Sequence, residues 1–167
     1  MAERIEGLLA AGDLKAPKIL ILGSMPSAQS LQKAQYYGNP RNHFWPIVCR
    51  TFEEGLPEEY EARLALAARQ HIALWDSVQS CVRPGSLDQN IKEERPNDVP
   101  AFLSAHPTVE KVLFNGTAAK RLFEKYHKPQ PGVRYVLLPS TSPIPQRTVR
   151  TFEEKLALWR AALLKNE

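Results

Sequence analysis

The chain has 167 residues, 43% hydrophobic and 24% charged, with 22 Lys and Arg against 18 Asp and Glu and a net charge of +4. This composition excludes a disordered or fibrous chain, and no apolar run approaches the roughly 20 residues that a membrane-spanning helix needs. Two cysteines and four scattered histidines provide neither a disulfide scaffold nor metal-ligand spacing. The opening Met1-Ala2-Glu3-Arg4-Ile5-Glu6 lacks the basic start and long apolar stretch of a secretory signal. The expectation is one cytoplasmic, reduced domain spanning residues 1–167.

In chain order, Lys-Ile-Leu-Ile-Leu at 18–22 reads as a strand that Gly23 stops. A polar and aromatic loop follows as far as Pro46, with helical spacing of Phe44, Ile47, Val48 and Phe52 at its end. A helix over 58–70 places Tyr60, Leu64 and Ala67 on one side. Residues 71–75 (His-Ile-Ala-Leu-Trp) form a second strand, and a proline- and glycine-rich loop occupies 81–96. Asn97-Asp98 caps a helix to about 105, with Pro100 in its first turn. A third strand at 111–114 halts at Asn115-Gly116, and a helix over 117–126 follows. The fourth strand, 134–138, ends at Pro139. The last helix runs from 151 to 164, where Thr151 and Glu154 are spaced as a capping box. Short, nearly continuous apolar runs fit strands buried on both faces. Their alternation with helices predicts an α/β sandwich with helices on both sides of a parallel sheet.

The 14 prolines crowd into the segments just after the strands, the edge of a parallel sheet at which ligands bind. Long loops there are costly unless something uses them. In the first of them, Tyr36, Tyr37, Phe44 and Trp45 are interleaved with Asn39, Arg41, Asn42 and His43. Aromatic faces and amides suit a planar heterocycle, since rings stack and amides read edges. Phe44 and Trp45 fit core packing equally well. The loop has neither the Gly-Lys-Ser/Thr end of a phosphate loop nor the spaced glycines of a dinucleotide fingerprint. After the fourth strand, Pro139-Ser140-Thr141-Ser142-Pro143-Ile144-Pro145 is stiff, with hydroxyls suited to phosphate oxygens and an apolar tip at Ile144.

The ordered set Gly-Ser-Met-Pro-Ser (23–27), Tyr-Tyr-Gly-Asn-Pro-Arg-Asn-His-Phe-Trp (36–45), Leu-Trp-Asp (74–76), Phe-Asn-Gly (114–116) and Leu-Pro-Ser-Thr-Ser-Pro (138–143) resembles the uracil-DNA glycosylase superfamily. Within it, the chain most resembles the hypoxanthine (deoxyinosine) DNA glycosylase branch. The resemblance implies a three-layer α/β/α sandwich around a central four-stranded parallel sheet. It implies a monofunctional enzyme that hydrolyses the N-glycosidic bond of deaminated bases in DNA, hypoxanthine first and uracil second, acting as a monomer without cofactor or metal. The first loop positions the attacking water, the next strand ends meet the extruded base, and the last loop enters the minor groove.

Residue by residue, the water falls to Asn42, with Asn39 as the alternative, because Met25 stands where relatives carry an Asp or Asn. Gly23, Ser24, Met25, Pro26, Tyr37, Phe44, Asp76 and Asn115 are expected around the base, with Phe44 as its stacking ring. Ser27, Ser140, Thr141, Ser142, Ile144 and Arg147 are expected on DNA. Asp76 is read either as a cap or loop organiser, or as an acceptor for a base N–H. Asn115 fits a turn as well as a base contact. Arg83, Arg150, Lys120 and Arg121 could furnish a basic rim, and Cys81 fits a small buried residue. With no Lys in the motif loops, no lyase step is expected. Two other readings stay open: a non-catalytic lesion-binding domain on the same fold, and a nucleoside hydrolase.

Overall fold

Every residue of the strand Ile19–Gly23 is buried, and its side chains divide by parity between two cores. The structure, a computed structural model, describes residues 3–144 and 151–164. Its strands are β1 (Arg4–Glu6), β2 (Ala11–Gly12), β3 (Ile19–Gly23), β4 (Ile72–Asp76), β5 (Val78–Val82), β6 (Lys92–Pro96), β7 (Lys111–Asn115) and β8 (Arg134–Leu138). The helices are α1 (Ala28–Lys33), α2 (Phe44–Thr51), α3 (Tyr60–Arg69), α4 (Val99–Ala105), α5 (Thr117–Tyr126) and α6 (Phe152–Leu164), with a 3-10 turn at Asp88–Asn90.

The four strands expected from the sequence run parallel in the order β4-β3-β7-β8. Ile19 and Ile21 of β3, with Ile72, Leu74 and Leu113, pack against the α2 and α6 side chains Trp45, Ile47 and Trp159. Leu20 and Leu22, with Ala73, Val112 and Phe114, face Val99, Leu103, Ala119 and Phe123 of α4 and α5. Period-two alternation on a sheet covered on both faces yields these two cores, and the result is an α/β/α sandwich. Asp98 caps α4 through its side chain. Thr151 and Glu154 form the expected reciprocal cap, Glu154 N–H donating to Thr151 Oγ1 at 3.1 Å.

Five elements go beyond the expectation. β2 pairs antiparallel with β4, which makes the main sheet five-stranded. β1, β5 and β6 form a separate antiparallel sheet, of which β6 and the end of β5 fall in the 81–96 stretch expected as loop. β6 reads Lys-Glu-Glu-Arg-Pro and is mostly exposed, so no apolar alternation marks it. Helix α1 is also new, and Ser27 caps it by accepting the Ser30 N–H. No helix among the described residues is long and apolar enough to cross a membrane.

Strand register sets where a site can form. Gly23 lies level with Asp76, and Asn115 with Leu138, so four loops leave the sheet at one edge.

Candidate active site

At that edge lies a cavity of about 350 Å³, walled by the 23–30 turn, the Tyr37–Asn42 loop, Asp76, Asn115 and the 140–144 loop. The structure thus brings together Gly23, Ser24, Met25, Pro26, Ser27, Tyr37, Asn39, Asn42, Asp76, Asn115, Ser140, Thr141, Ser142 and Ile144. Arg147 lies outside the described residues.

The floor is built by close approach. A Cβ on Gly23 would stand 2.5 Å from Asp76 Oδ1, so glycine here leaves the space that the Asp76 carboxyl occupies. Asp76 is 4% exposed, and its Oδ2 has no hydrogen-bond partner among the described residues. Burial, reinforced by the nearby Asp88 charge, raises its pKa to about 7, with Arg83 opposing. Asp76 therefore caps no helix; its backbone carbonyl, not its carboxyl, accepts from Asn97 Nδ2 at 2.8 Å.

The aromatic wall differs from the expectation. Phe44 is fully buried and absent from the cavity lining. It packs under Tyr37 with centroids 4.0 Å apart and edge-on against Trp45 and Trp159. Phe44 is thus core backing, and the aromatic residues that line the cavity are Tyr37 and the largely buried Tyr36. Tyr37 holds a left-handed backbone at φ 55°, an unfavourable conformation for a bulky residue. Its hydroxyl approaches the Asn115 amide without a well-formed hydrogen bond. Burial and then the Asp76 carboxyl push its pKa up.

Both candidate amides line the cavity. Asn42 Oδ1 accepts the Phe44 N–H at 2.8 Å, and Asn39 Oδ1 accepts the Arg41 N–H at 2.9 Å. Each oxygen keeps a second lone pair for water.

Asn115 and Thr141 hold each other rather than presenting free polar atoms. Asn115 Nδ2 donates to Thr141 Oγ1, and Thr141 N–H donates to Asn115 Oδ1, each at 2.9 Å. Thr141, at 1% exposure, is too buried to grip a phosphate, and its carbonyl accepts the His43 N–H at 2.9 Å. The last loop is thereby pinned to the first. A Cβ on Gly116, at φ 97°, would stand 3.1 Å from Ser140 Cβ, so glycine lets the end of β7 and the last loop approach closely.

Several polar groups serve the scaffold. Ser24 Oγ donates to Asp88 Oδ1 at 2.5 Å, and Ser27 caps α1. Arg83 belongs to no basic rim: it is buried and donates to the Pro26 and Gly85 carbonyls. Cys81 is buried, with its thiol pKa raised mainly by that burial. Sequence reasoning missed Ser86, Leu87 and Asp88, which reach the wall from the loop between β5 and β6. The Pro-Gly-Ser turn marked that loop, but nothing in the sequence directed it to the cavity. Among the described residues, no cluster of three or more His, Cys, Asp or Glu could hold a metal ion.

Comparison with known proteins bears on the family and the fold. Residues 10–163 match the family model described as the uracil DNA glycosylase superfamily. A curated relative from Methanosarcina acetivorans, named hypoxanthine DNA glycosylase, is 41% identical over 103 residues, 61% of this chain and 65% of its own length. One of the same name from Methanosarcina barkeri is 40% identical over 100 residues, 59% of this chain and 63% of its own. The match thus spans a little under two thirds of either relative. A Methanosarcina acetivorans solution NMR structure, provisionally named a uracil DNA glycosylase, superposes with a TM-score of 0.79 at 32% identity, covering 96% of this chain and 97% of that one.

Proposed function

Because the chain belongs to the uracil DNA glycosylase superfamily, we propose that it is a monofunctional glycosylase acting on deaminated bases in DNA, hypoxanthine foremost and uracil within the same pocket. One observation carries the reading: a cavity at the carboxyl edge of the sheet is lined by two tyrosines, two pinned amides and a buried carboxyl. The names of the two relatives favour hypoxanthine.

The chemistry follows from those groups. An extruded base enters against Tyr37, which supplies a flat apolar face. The C1′–N bond breaks with its electron pair leaving on the base, and the sugar becomes oxocarbenium-like. Water, oriented by the Asn42 or Asn39 oxygen, adds its oxygen to C1′, and its released proton passes to solvent. An amide suffices because water arrives late and need not be deprotonated early. The backbone N–H groups of Ser24, Met25 and Ser27, in the turn that walls the cavity, are the candidate donors to the charge that develops on the departing base. An ionised carboxyl beneath that base would oppose its departure; burial keeps a large neutral fraction of Asp76 at pH 7, which removes much of the opposition.

The test is incubation with oligonucleotides carrying one deoxyinosine or deoxyuridine, followed by alkali. Strand breaks at the lesion establish base excision, whereas retention of lesion DNA without breaks establishes a binding domain. Asn42→Ala is expected to lose most excision, on the order of 10²-fold, while still binding lesion DNA. Full activity in Asn42→Ala with loss in Asn39→Ala assigns the water to Asn39.

A further inference from the structure

Lys155, on α6, is 2% exposed, although buried ammonium groups are ordinarily paired with a carboxylate. Among the described residues it has no such partner. Its Nζ instead donates to the Ser142 carbonyl at 3.0 Å and to His43 Nδ1 at 3.3 Å. Accepting from an ammonium requires neutral His43 with its proton on Nε2. Both partners adjoin the site. His43 follows Asn42 and donates its backbone N–H to Thr141, and Ser142 lies in the last loop beside Ile144. Lys155 is absent from the cavity wall, so whatever it contributes passes through the residues it holds.

We infer that Lys155 is a positioning residue: its buried ammonium latches the Asn42–His43 segment to the 140–144 loop, fixing the water-orienting amide relative to the loop that meets DNA. The inference rests on the glycosylase reading above. Its physical basis is the absence of a compensating charge. Hydrocarbon of similar volume would occupy this position at lower desolvation cost, but it could not bridge an imidazole and a carbonyl from two loops. Methionine is such a hydrocarbon-like substitute, and it therefore separates positioning from stability.

The experiment combines single-turnover excision from a single-stranded deoxyinosine oligonucleotide with amide hydrogen exchange and Tm on the same samples. Lys155→Met is expected to keep or raise Tm and to slow excision by about tenfold or more, with Kd for the oligonucleotide changed less than about threefold. Its His43 amide exchanges about tenfold faster, while exchange at Leu113 is unchanged. Added to Asn42→Ala, the substitution causes no further loss, because it acts through that amide. An unchanged rate, or a slower rate with unchanged His43 exchange, overturns the inference. If the wild-type protein releases no base, the glycosylase reading fails and His43 exchange alone decides the latch, unchanged exchange overturning it. Should Lys155→Met not fold, Lys155→Gln, which removes the charge but keeps a donor, is read against the same criteria.

Discussion

Asp76 shows how one residue can set both stability and function. Its carboxyl ordinarily titrates at 3.8, and burial raises it to about 7. The folded state therefore holds this proton more tightly than the unfolded chain does. The contribution to stability is intact below about pH 4, declines as pH rises toward 7, and stays reduced above it. At about 1.4 kcal/mol per tenfold in acidity, the full decline is on the order of 4 kcal/mol. Asp76→Asn is nearly isosteric with the neutral acid and cannot ionise. Urea unfolding from pH 5 to pH 8.5 is expected to show wild-type stability falling relative to the variant, with the gap opening between pH 5 and about 7 and levelling off above it. Parallel curves would mean that Asp76 is already ionised at the cavity floor, and the account of base departure would lose its neutral carboxyl.

At the scale of elements, the last loop is stiffened from within and anchored from behind. Ser140 Oγ accepts the Ser142 N–H, and Ser142 Oγ accepts the Ile144 N–H. Thr141 fastens the loop to β7, and Lys155 fastens it to α6. The apolar Ile144 tip stands 53% exposed at the cavity rim. A rigid apolar tip beside a base-sized cavity suits a wedge that fills the stack when a nucleotide leaves it. Opening that stack costs a few kcal/mol in duplex DNA and little in a single strand. Ile144→Gly is therefore expected to lose about tenfold or more excision from duplex and less than about threefold from single strands. Equal losses on the two substrates would assign the loop to scaffolding alone.

Across the whole molecule, the parallel strands were legible because each is a short apolar run closed by Gly, Asp, Asn or Pro, a pattern that burial on both faces demands of β3, β4 and β7. The cavity was legible as a location, since all its main loops leave one edge of the sheet. Individual roles were less so. Phe44 and Tyr37 are both aromatic, and only the closure of α2 on α6 decides which is core. Thr141 and Asn115 satisfy each other across 26 residues, a pairing that spacing does not reveal. The small sheet was hidden because its strands are polar and irregular, with register shifts between β5 and β6. It is nevertheless tied to the site. Ile5 of β1 packs on the cluster that includes Met25, Val78, Cys81 and Leu122, and Met25 is part of the cavity wall. Arg4 clips β1 to Ser80 of β5 and to the Glu93 carbonyl of β6. Removing residues 3–7 should strip this backing without disturbing the main sheet. The lost burial of Ile5, on the order of 1–2 kcal/mol, corresponds to a fall in Tm of roughly 2–8 °C for a chain of this size. Excision should fall further than that loss of stability explains at 25 °C, because Met25 and the 86–88 loop lose their support, while amide exchange at Leu113 stays slow. Full activity in the shortened chain would show that the small sheet decorates the fold and that the cavity is held by the parallel strands and their helices alone.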